Sequence, residues 1–209
     1  GRVSRETISL RFQRKGLKTR DGALLPCALY VNRLSPVLGD KLFKEGFVRV
    51  QDESSQLVGV AVAPKPGELI LDAAAEPGTK TEHLLQLCPE ARIVAMDLHT
   101  DKIRALSGKA LLVRGDAVRN PFKKHVFDSI LLDAPCSSLG VIRKHPEIKW
   151  RRREEDIARF SSYQADMVKA LWDSLKPGGC LIYSVCSFEP EETTGVLERL
   201  KQDLRFSVE

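Results

Sequence analysis

Two cysteines stand where a sheet would hold a nucleophile. The stretch "LIYSVCSFEPEE", residues 181–192, is apolar over 181–185, then delivers Cys186, Ser187 and a burst of acids. Fifty residues earlier, "SILLDAPCSSLG" repeats the shape: an apolar run, then Asp133 and Cys136. Each run reads as a buried strand. A cysteine at a strand end is either a small buried residue or a reactive thiol, since free cysteine is among the most buried side chains and its thiolate attacks well. Acids end the other apolar runs: Asp72 in "ELILDAAA", Asp97 in "RIVAMDL" and Asp116 in "ALLVRGDA". Singly, each acid is most simply a cap. Together with Asp133 and the two cysteines they look like the lining of one crevice.

The elements that must position these residues alternate. Helical stretches are expected at "KTEHLLQLC", "TDKIRALSG", 153–175 and "EETTGVLERLKQDL", with strands between them. In 153–175, Ile157, Phe160, Met167, Val168, Leu171, Trp172 and Leu175 follow a helical period. Alternating strands and helices with wholly apolar strands predict an α/β fold, a doubly wound, mostly parallel sheet. Ligands of such sheets sit outside the carboxyl ends of the strands, where the acids and cysteines fall. Residues 1–45 differ: "ETISLRF", "TRDGALLP" and "CALYV" read as short extended pieces around an Asp21-Gly22 turn, and "RFSVE" at 205–209 as the start of one more strand.

Composition narrows the function classes. No apolar run reaches the roughly 20 residues that span a bilayer. The chain has five cysteines, no CxxC pair and no His-rich cluster, which argues against a disulfide framework or a metal site and for a reducing, cytoplasmic compartment. Residues 1–50 carry 11 Lys/Arg against 4 Asp/Glu, a net +7, while the whole chain is +5, leaving −2 for residues 51–209. A basic front on a near-neutral body predicts a polyanion partner, RNA or DNA, with 1–45 as a small basic accessory module that helps to grip phosphates. The loop "IRKHPEIKWRRR" adds six Lys/Arg, one His and Trp150, which suit an RNA strand with an extruded base or, more plainly, a solvated loop packed down by the indole.

The loop after the first strand of the sheet, "DAAAEPGTKT", is neither GxGxxG nor a P-loop, for Gly78 is its one glycine. Asp97 ends the next strand, where an acid accepts from both ribose hydroxyls. Asp116 can meet an adenine edge. A nucleoside held among acids without a pyrophosphate cradle points to S-adenosylmethionine, whose sulfonium is cationic.

At this point the motifs resemble a known family. "VQDESSQL", "ILDAAAEPGTKT", "GDA", "ILLDAPCSSLGVIRKHPEIKW" and "KPGGCLIYSVCSFEPEE" are similar to the Sun/NOL1/NOP2 family of RNA 5-methylcytosine methyltransferases, most of all to the bacterial Sun type that acts on small-subunit ribosomal RNA, over about residues 24–203. The resemblance implies a Rossmann-like class I methyltransferase fold over 46–209, S-adenosylmethionine as donor and a cytosine in RNA as target; the chain is expected to be a monomer without a metal. It places the cofactor loop on Ala74, Ala75, Glu76, Pro77, Gly78, Thr79 and Lys80, the ribose acid on Asp97, the adenine-side acid on Asp116, and an acid near both donor and base on Asp133. It places the nucleophile on Cys186 and the product-releasing cysteine on Cys136, although a Pro-Cys nucleophile would fit Pro135-Cys136. Lys80 either neutralises Asp133, contacts the target or is merely exposed. Asp133, protonated among other acids, would hydrogen-bond the ring nitrogen.

The chain departs from the family pattern at several places. Ala74 replaces a Cys, Glu76 an Ala, Thr79 a Gly, Val185 a Thr and Thr193 an Asn. Glu76 adds a charge and Thr79 a Cβ where glycine is free in φ, both expected to weaken the cofactor's hold. The family's last strand and the Sun-type helical N-terminal domain are missing, as in a fragment or a degraded copy. The alternative reading is therefore an RNA-binding fragment with little or no methyl transfer. Methylation of an exocyclic amine ranks lower, for Asp133-Ala134-Pro135-Cys136 lacks the aromatic such enzymes carry.

Overall fold

A computed structural model describes residues 3–208, the side chain of Thr100 excepted. The chain divides into two compact units, Gly1–Leu57 and Val58–Glu209.

In the first unit "ETISLRF" is helical, not extended, and belongs to α1 (Arg5–Arg14). The Ser4 hydroxyl accepts from the Thr7 amide as its cap, with Glu6 in the first turn and Arg11 and Arg14 in the last, the charges a helix dipole favours. Ile8 and Phe12 sit on one helical face, four residues apart; Phe12 is buried with Leu17 and Val37, and Ile8 packs against them. The other two stretches do extend: β1 (Thr19–Asp21) pairs antiparallel with β2 (Leu29–Val31), Asp21 opposite Leu29. The connecting turn thus takes residues 22–28. Short helices α2 (Ser35–Leu38) and α3 (Lys41–Lys44) follow. Two buried acids tie the unit together. Asp40 accepts from Arg11 Nε at 3.0 Å, from Lys15 and from the Leu42 amide. Burial pushes its carboxyl up, and these donors more than reverse that, to about 2. Glu53, the first residue of α4 (Glu53–Val62), accepts from the Ala23, Leu24 and Leu25 amides and the Tyr30 hydroxyl, and so fixes the hairpin loop.

The second unit runs β3 (Leu69–Asp72), α5 (Thr79–Leu87), β4 (Arg92–Asp97), α6 (Thr100–Ile103), β5 (Leu111–Arg114), β6 (Phe127–Asp133), α7 (Ile148–Arg151), α8 (Glu154–Trp172), β7 (Leu175–Ser184) and α9 (Thr194–Leu200). Its five strands are all parallel, in the order β5-β4-β3-β6-β7. Successive residues bury on opposite faces. Ile70, Ile93 and Leu131 pack with Val62, Leu84 and Cys88, from α4, α5 and the end of α5. Leu71, Ile130 and Leu132 pack with Val168 and Leu171 of α8 and Val196 and Leu200 of α9. The sheet is covered on both faces, as the apolar strands predict. The order reverses between β3 and β6, so the crevice opens at their carboxyl ends.

The expected strand at 205–209 is not formed among the described residues. Phe206 instead packs edge-to-face on Trp172 of α8, ring centroids 5.8 Å apart, and Leu204 joins the same core. Among the described residues no three His, Cys, Asp or Glu side chains gather as a metal site. No helix among them is long and apolar enough to cross a membrane.

Candidate active site

The acids at the strand ends do not line a single crevice. Asp72 lies wholly behind the wall: one oxygen accepts from the Thr81 hydroxyl at 2.6 Å, and the other is buried with no partner among the described residues. Burial pushes its carboxyl up to about 6.

In front of it is a cavity of about 160 Å³, walled by Ala73, Ala74 and Glu76 of the loop after β3, by Asp97 and Asp116, and by Tyr163 and Met167 of α8. Asp97 ends β4, and its two oxygens accept from the Glu76 amide at 3.0 Å and the His99 amide at 2.8 Å. Each keeps a lone pair for a further donor. Asp116 lies two residues past β5, one oxygen accepting from the Val118 amide at 3.0 Å. The lining holds three carboxylates and no Lys or Arg. Such a wall takes hydroxyls and a cationic group, and repels phosphates. These residues therefore fit a nucleoside with a positively charged tail.

The rest of the predicted cofactor loop supports this wall without forming it. Ala75 is buried against Ala95, Ile103 and Leu106, and Pro77 is exposed. Gly78 has φ +98, and a Cβ there would lie 3.1 Å from the Leu106 side chain. Thr79 opens α5 in helical conformation, so the glycine freedom expected at 79 is needed at 78 instead, and its Cβ brings no strain. Glu76 ion-pairs with Lys102 at 2.6 Å, which offsets the added charge.

A second cluster lies at the ends of β6 and β7. Lys80 is ion-paired to one oxygen of Asp133, and the Ser184 hydroxyl donates to the other at 2.9 Å. Both oxygens thus accept hydrogen bonds, where the sequence predicts a carboxyl that donates one. Asp133 and Ser184 are register partners on adjacent strands, and this pairing brings together the two loops that follow. Cys136 and Cys186 meet there with sulfurs 3.1 Å apart. Cys136 is buried and Cys186 exposed. The Cys136 thiol donating to its sulfur, with help from the Ser138 hydroxyl at 3.4 Å, pulls Cys186 down to about 6, against burial and the Asp133 charge. The same contact and burial push Cys136 far up. The arrangement is one thiolate and one thiol at neutral pH.

The scaffold behind the cysteines was not read from sequence. Glu192 is fully buried and accepts from the Ser137 amide at 2.8 Å, the Ser137 hydroxyl and Gln164 Nε2 at 3.0 Å. Arg152 Nε donates to the Ser137 carbonyl at 2.9 Å. The Gly140 amide donates to the Cys186 carbonyl at 3.0 Å, and a Cβ on Gly140 would stand 2.9 Å from that oxygen. The "PEE" acids had a visible signal, their fixed place after the cysteine, but not their partners. Tyr163 and Met167, missed as cavity residues, are four apart on one face of α8, a spacing legible in the sequence. Trp150 is 88% exposed, so it does not pack the basic loop down.

A family model described as 16S rRNA methyltransferase RsmB/F matches residues 59–206. The ribosomal RNA small subunit methyltransferase B of Salmonella paratyphi B is 44% identical over 187 residues, 85% of this chain and 43% of that protein. The chain thus spans less than half the length of the curated relatives it matches. The crystal structure of PH0851 superposes with a TM-score of 0.88 over 98% of this chain and 49% of that one, at 29% identity. That of NSun6 from Pyrococcus horikoshii with SFG gives 0.83 over 96% and 77%, at 22% identity, a likeness of fold. The chain belongs to the 16S rRNA methyltransferase RsmB/F family, within the Sun/NOL1/NOP2 group that its motifs resemble.

Proposed function

We propose that the chain carries the methyl-transfer domain of an S-adenosylmethionine-dependent RNA methyltransferase that acts on carbon 5 of a cytosine, in ribosomal RNA, through a covalent cysteine adduct. The observation that carries this reading is the sulfur pair at the crevice: an exposed Cys186 held as thiolate by a buried Cys136 thiol 3.1 Å away. The family's ribosomal RNA name and the acidic, phosphate-repelling cavity support the same substrate and donor.

Carbon 5 of cytosine is a poor nucleophile. The Cys186 sulfur adds to carbon 6, and the ring electrons gather at carbon 5. Asp97 would hold the ribose of S-adenosylmethionine and Asp116, Tyr163 and Met167 its adenine, and the cofactor would supply an electrophilic methyl group for that carbon. The Lys80–Asp133 pair stands at the end of β6 to orient the ring and balance charge on it. Splitting one hard substitution into addition and elimination is covalent catalysis. Once Cys186 becomes a thioether it is neutral, and the anion that pushed Cys136 up is gone. Cys136 then releases its thiol proton to solvent and, as a thiolate, takes the carbon 5 proton, and the electrons of that C–H bond expel the Cys186 sulfur from carbon 6 as a thiolate. The basic segment 142–153 and exposed Trp150 suit the RNA strand from which the base is extruded.

The test is transfer of labelled methyl to ribosomal RNA. Cys186→Ala is expected to abolish it, and Cys136→Ala to accumulate a protein–RNA adduct on a denaturing gel. Full transfer by Cys186→Ala would sink the nucleophile assignment. No transfer by the parent chain, with no cofactor binding by calorimetry, would leave the RNA-binding fragment as the reading.

A further inference from the structure

Ser138 occupies an unusual place for a serine. Its backbone is left-handed, φ 64 and ψ 21, a region non-glycine residues rarely enter and hold only when the surroundings enforce it. That conformation brings its hydroxyl oxygen to 3.4 Å from the Cys186 sulfur, whose thiol donates to it, and 4.0 Å from the Cys136 sulfur, while its own proton goes to the Cys136 carbonyl at 3.5 Å. The neighbouring charges leave few other helpers for a thiolate. Lys80 is taken by Asp133, which itself opposes a second negative charge. Arg152 is turned to the Ser137 carbonyl. Glu192 is buried behind Ser137, and the Tyr183 hydroxyl is spent on Glu192 and Gln164.

Resting on the reading of Cys186 as nucleophile, we propose that Ser138 is a positioning residue for its sulfur: once Cys186 is ionised, the hydroxyl turns its proton from the Cys136 carbonyl to the thiolate and, with the Cys136 thiol, completes a two-donor cradle. The cradle divides the labour. Cys136 must give up its proton before it takes the one on carbon 5, whereas Ser138 gives up only its bond to the Cys136 carbonyl and receives the thiolate again on elimination. The left-handed backbone is what aims a short side chain at the sulfur.

The measurement is the pH dependence of Cys186 alkylation by iodoacetamide in the full chain, read peptide by peptide by mass spectrometry. Ser138→Ala and Ser138→Gly both lack the hydroxyl, but glycine relaxes the left-handed backbone and keeps the loop folded if alanine does not. Both are expected to move the alkylation midpoint upward equally, from about 6 to about 7. Below the parent midpoint, at about pH 5, the rate should then fall roughly tenfold with the thiolate population, and the loss should vanish in alkali. An unchanged midpoint in Ser138→Gly overturns the proposal, and so does a higher midpoint in alanine alone, which would assign the effect to strain. Methyl transfer by Cys186→Ala is scored separately. Its persistence would remove the nucleophile reading while leaving the alkylation result as it stands.

Discussion

A carboxyl buried with one oxygen orphaned is costly, and Asp72 is that group. Its pKa rises from 3.8 to about 6, by burial first, with the Asp133 and Asp97 charges adding and Thr81 and Lys80 opposing. The native state therefore holds this proton more tightly than the unfolded chain does. Native stability is unpenalised below about pH 4, declines as pH rises toward 6, and stays lower above it, by about 3 kcal/mol. Asp72→Asn removes the titration. By urea denaturation the variant should gain about 2–3 kcal/mol over the parent at about pH 7.5 and much less at about pH 4. Equal differences at both would show that Asp72 does not titrate in this range. A cationic ligand in the cavity ahead of it would lower the same cost. At this scale the sequence was generous with identities and silent on environments. Cys136, Cys186, Asp97 and Asp116 stood out because each follows an apolar run. Whether an acid faces a cavity or hides behind it, as Asp72 does, depends on Thr81 nine residues away on a helix, and on how β3 and α5 pack.

The elements that present the cysteines are held by a buried polar network. Glu192, in the turn before α9, receives three donors from Ser137 and Gln164. The Tyr183 hydroxyl sits 2.8 Å from Gln164 Oε1 and 2.7 Å from the Glu192 carbonyl. This joins α8, β7 and the loop after β6, so the network sets the spacing of the two sulfurs. Glu192→Ala leaves buried donors unmet and should cost about 2–4 kcal/mol by chemical denaturation. Methyl transfer should fall more than about tenfold while cofactor affinity, read by calorimetry, changes far less, because Glu192 itself does not line the cavity. A stability loss below about 1 kcal/mol would show that the network does not hold the loops. Element types in the second unit were legible because apolar runs of strand length alternate with helical periods. Element α1 was not: Ile8, Leu10 and Phe12 alternate like a strand, and only the Ser4 cap and the burial of Phe12 with Leu17 and Val37 make it a helix. The tail was misread for a similar reason, as Phe206 finds Trp172 rather than a strand partner.

For the whole molecule the question is how a chain of net +5 engages a polyanion, and two surfaces offer different physics. On the β1–β2 hairpin a cavity of about 230 Å³ is lined by Lys18, Arg20, Tyr30 and Asn32, with the Arg20 guanidinium 4.6 Å over the Tyr30 ring. Tyr30 is engaged by Arg20 and Glu53, so the hairpin's contribution is charge on phosphate. On the segment around α7, Trp150 stands 88% exposed between Lys149 and Arg151, and its contribution is a stacking face. The two separate by salt. Each phosphate contact to a single strand contributes about 0.7 to the slope of log affinity against log salt. Lys18→Ala with Arg20→Ala should flatten that slope by about 1.4 and weaken RNA binding most at low salt. Trp150→Ala should weaken binding by about 1–3 kcal/mol at every salt concentration and leave the slope alone, because a base face carries no counterion. Fluorescence titrations with a ribosomal RNA fragment over a range of potassium chloride concentrations distinguish the two. A slope change in Trp150→Ala would mean that the indole only positions its basic neighbours, and an unchanged slope in the hairpin variant would place the phosphate grip outside residues 18–32.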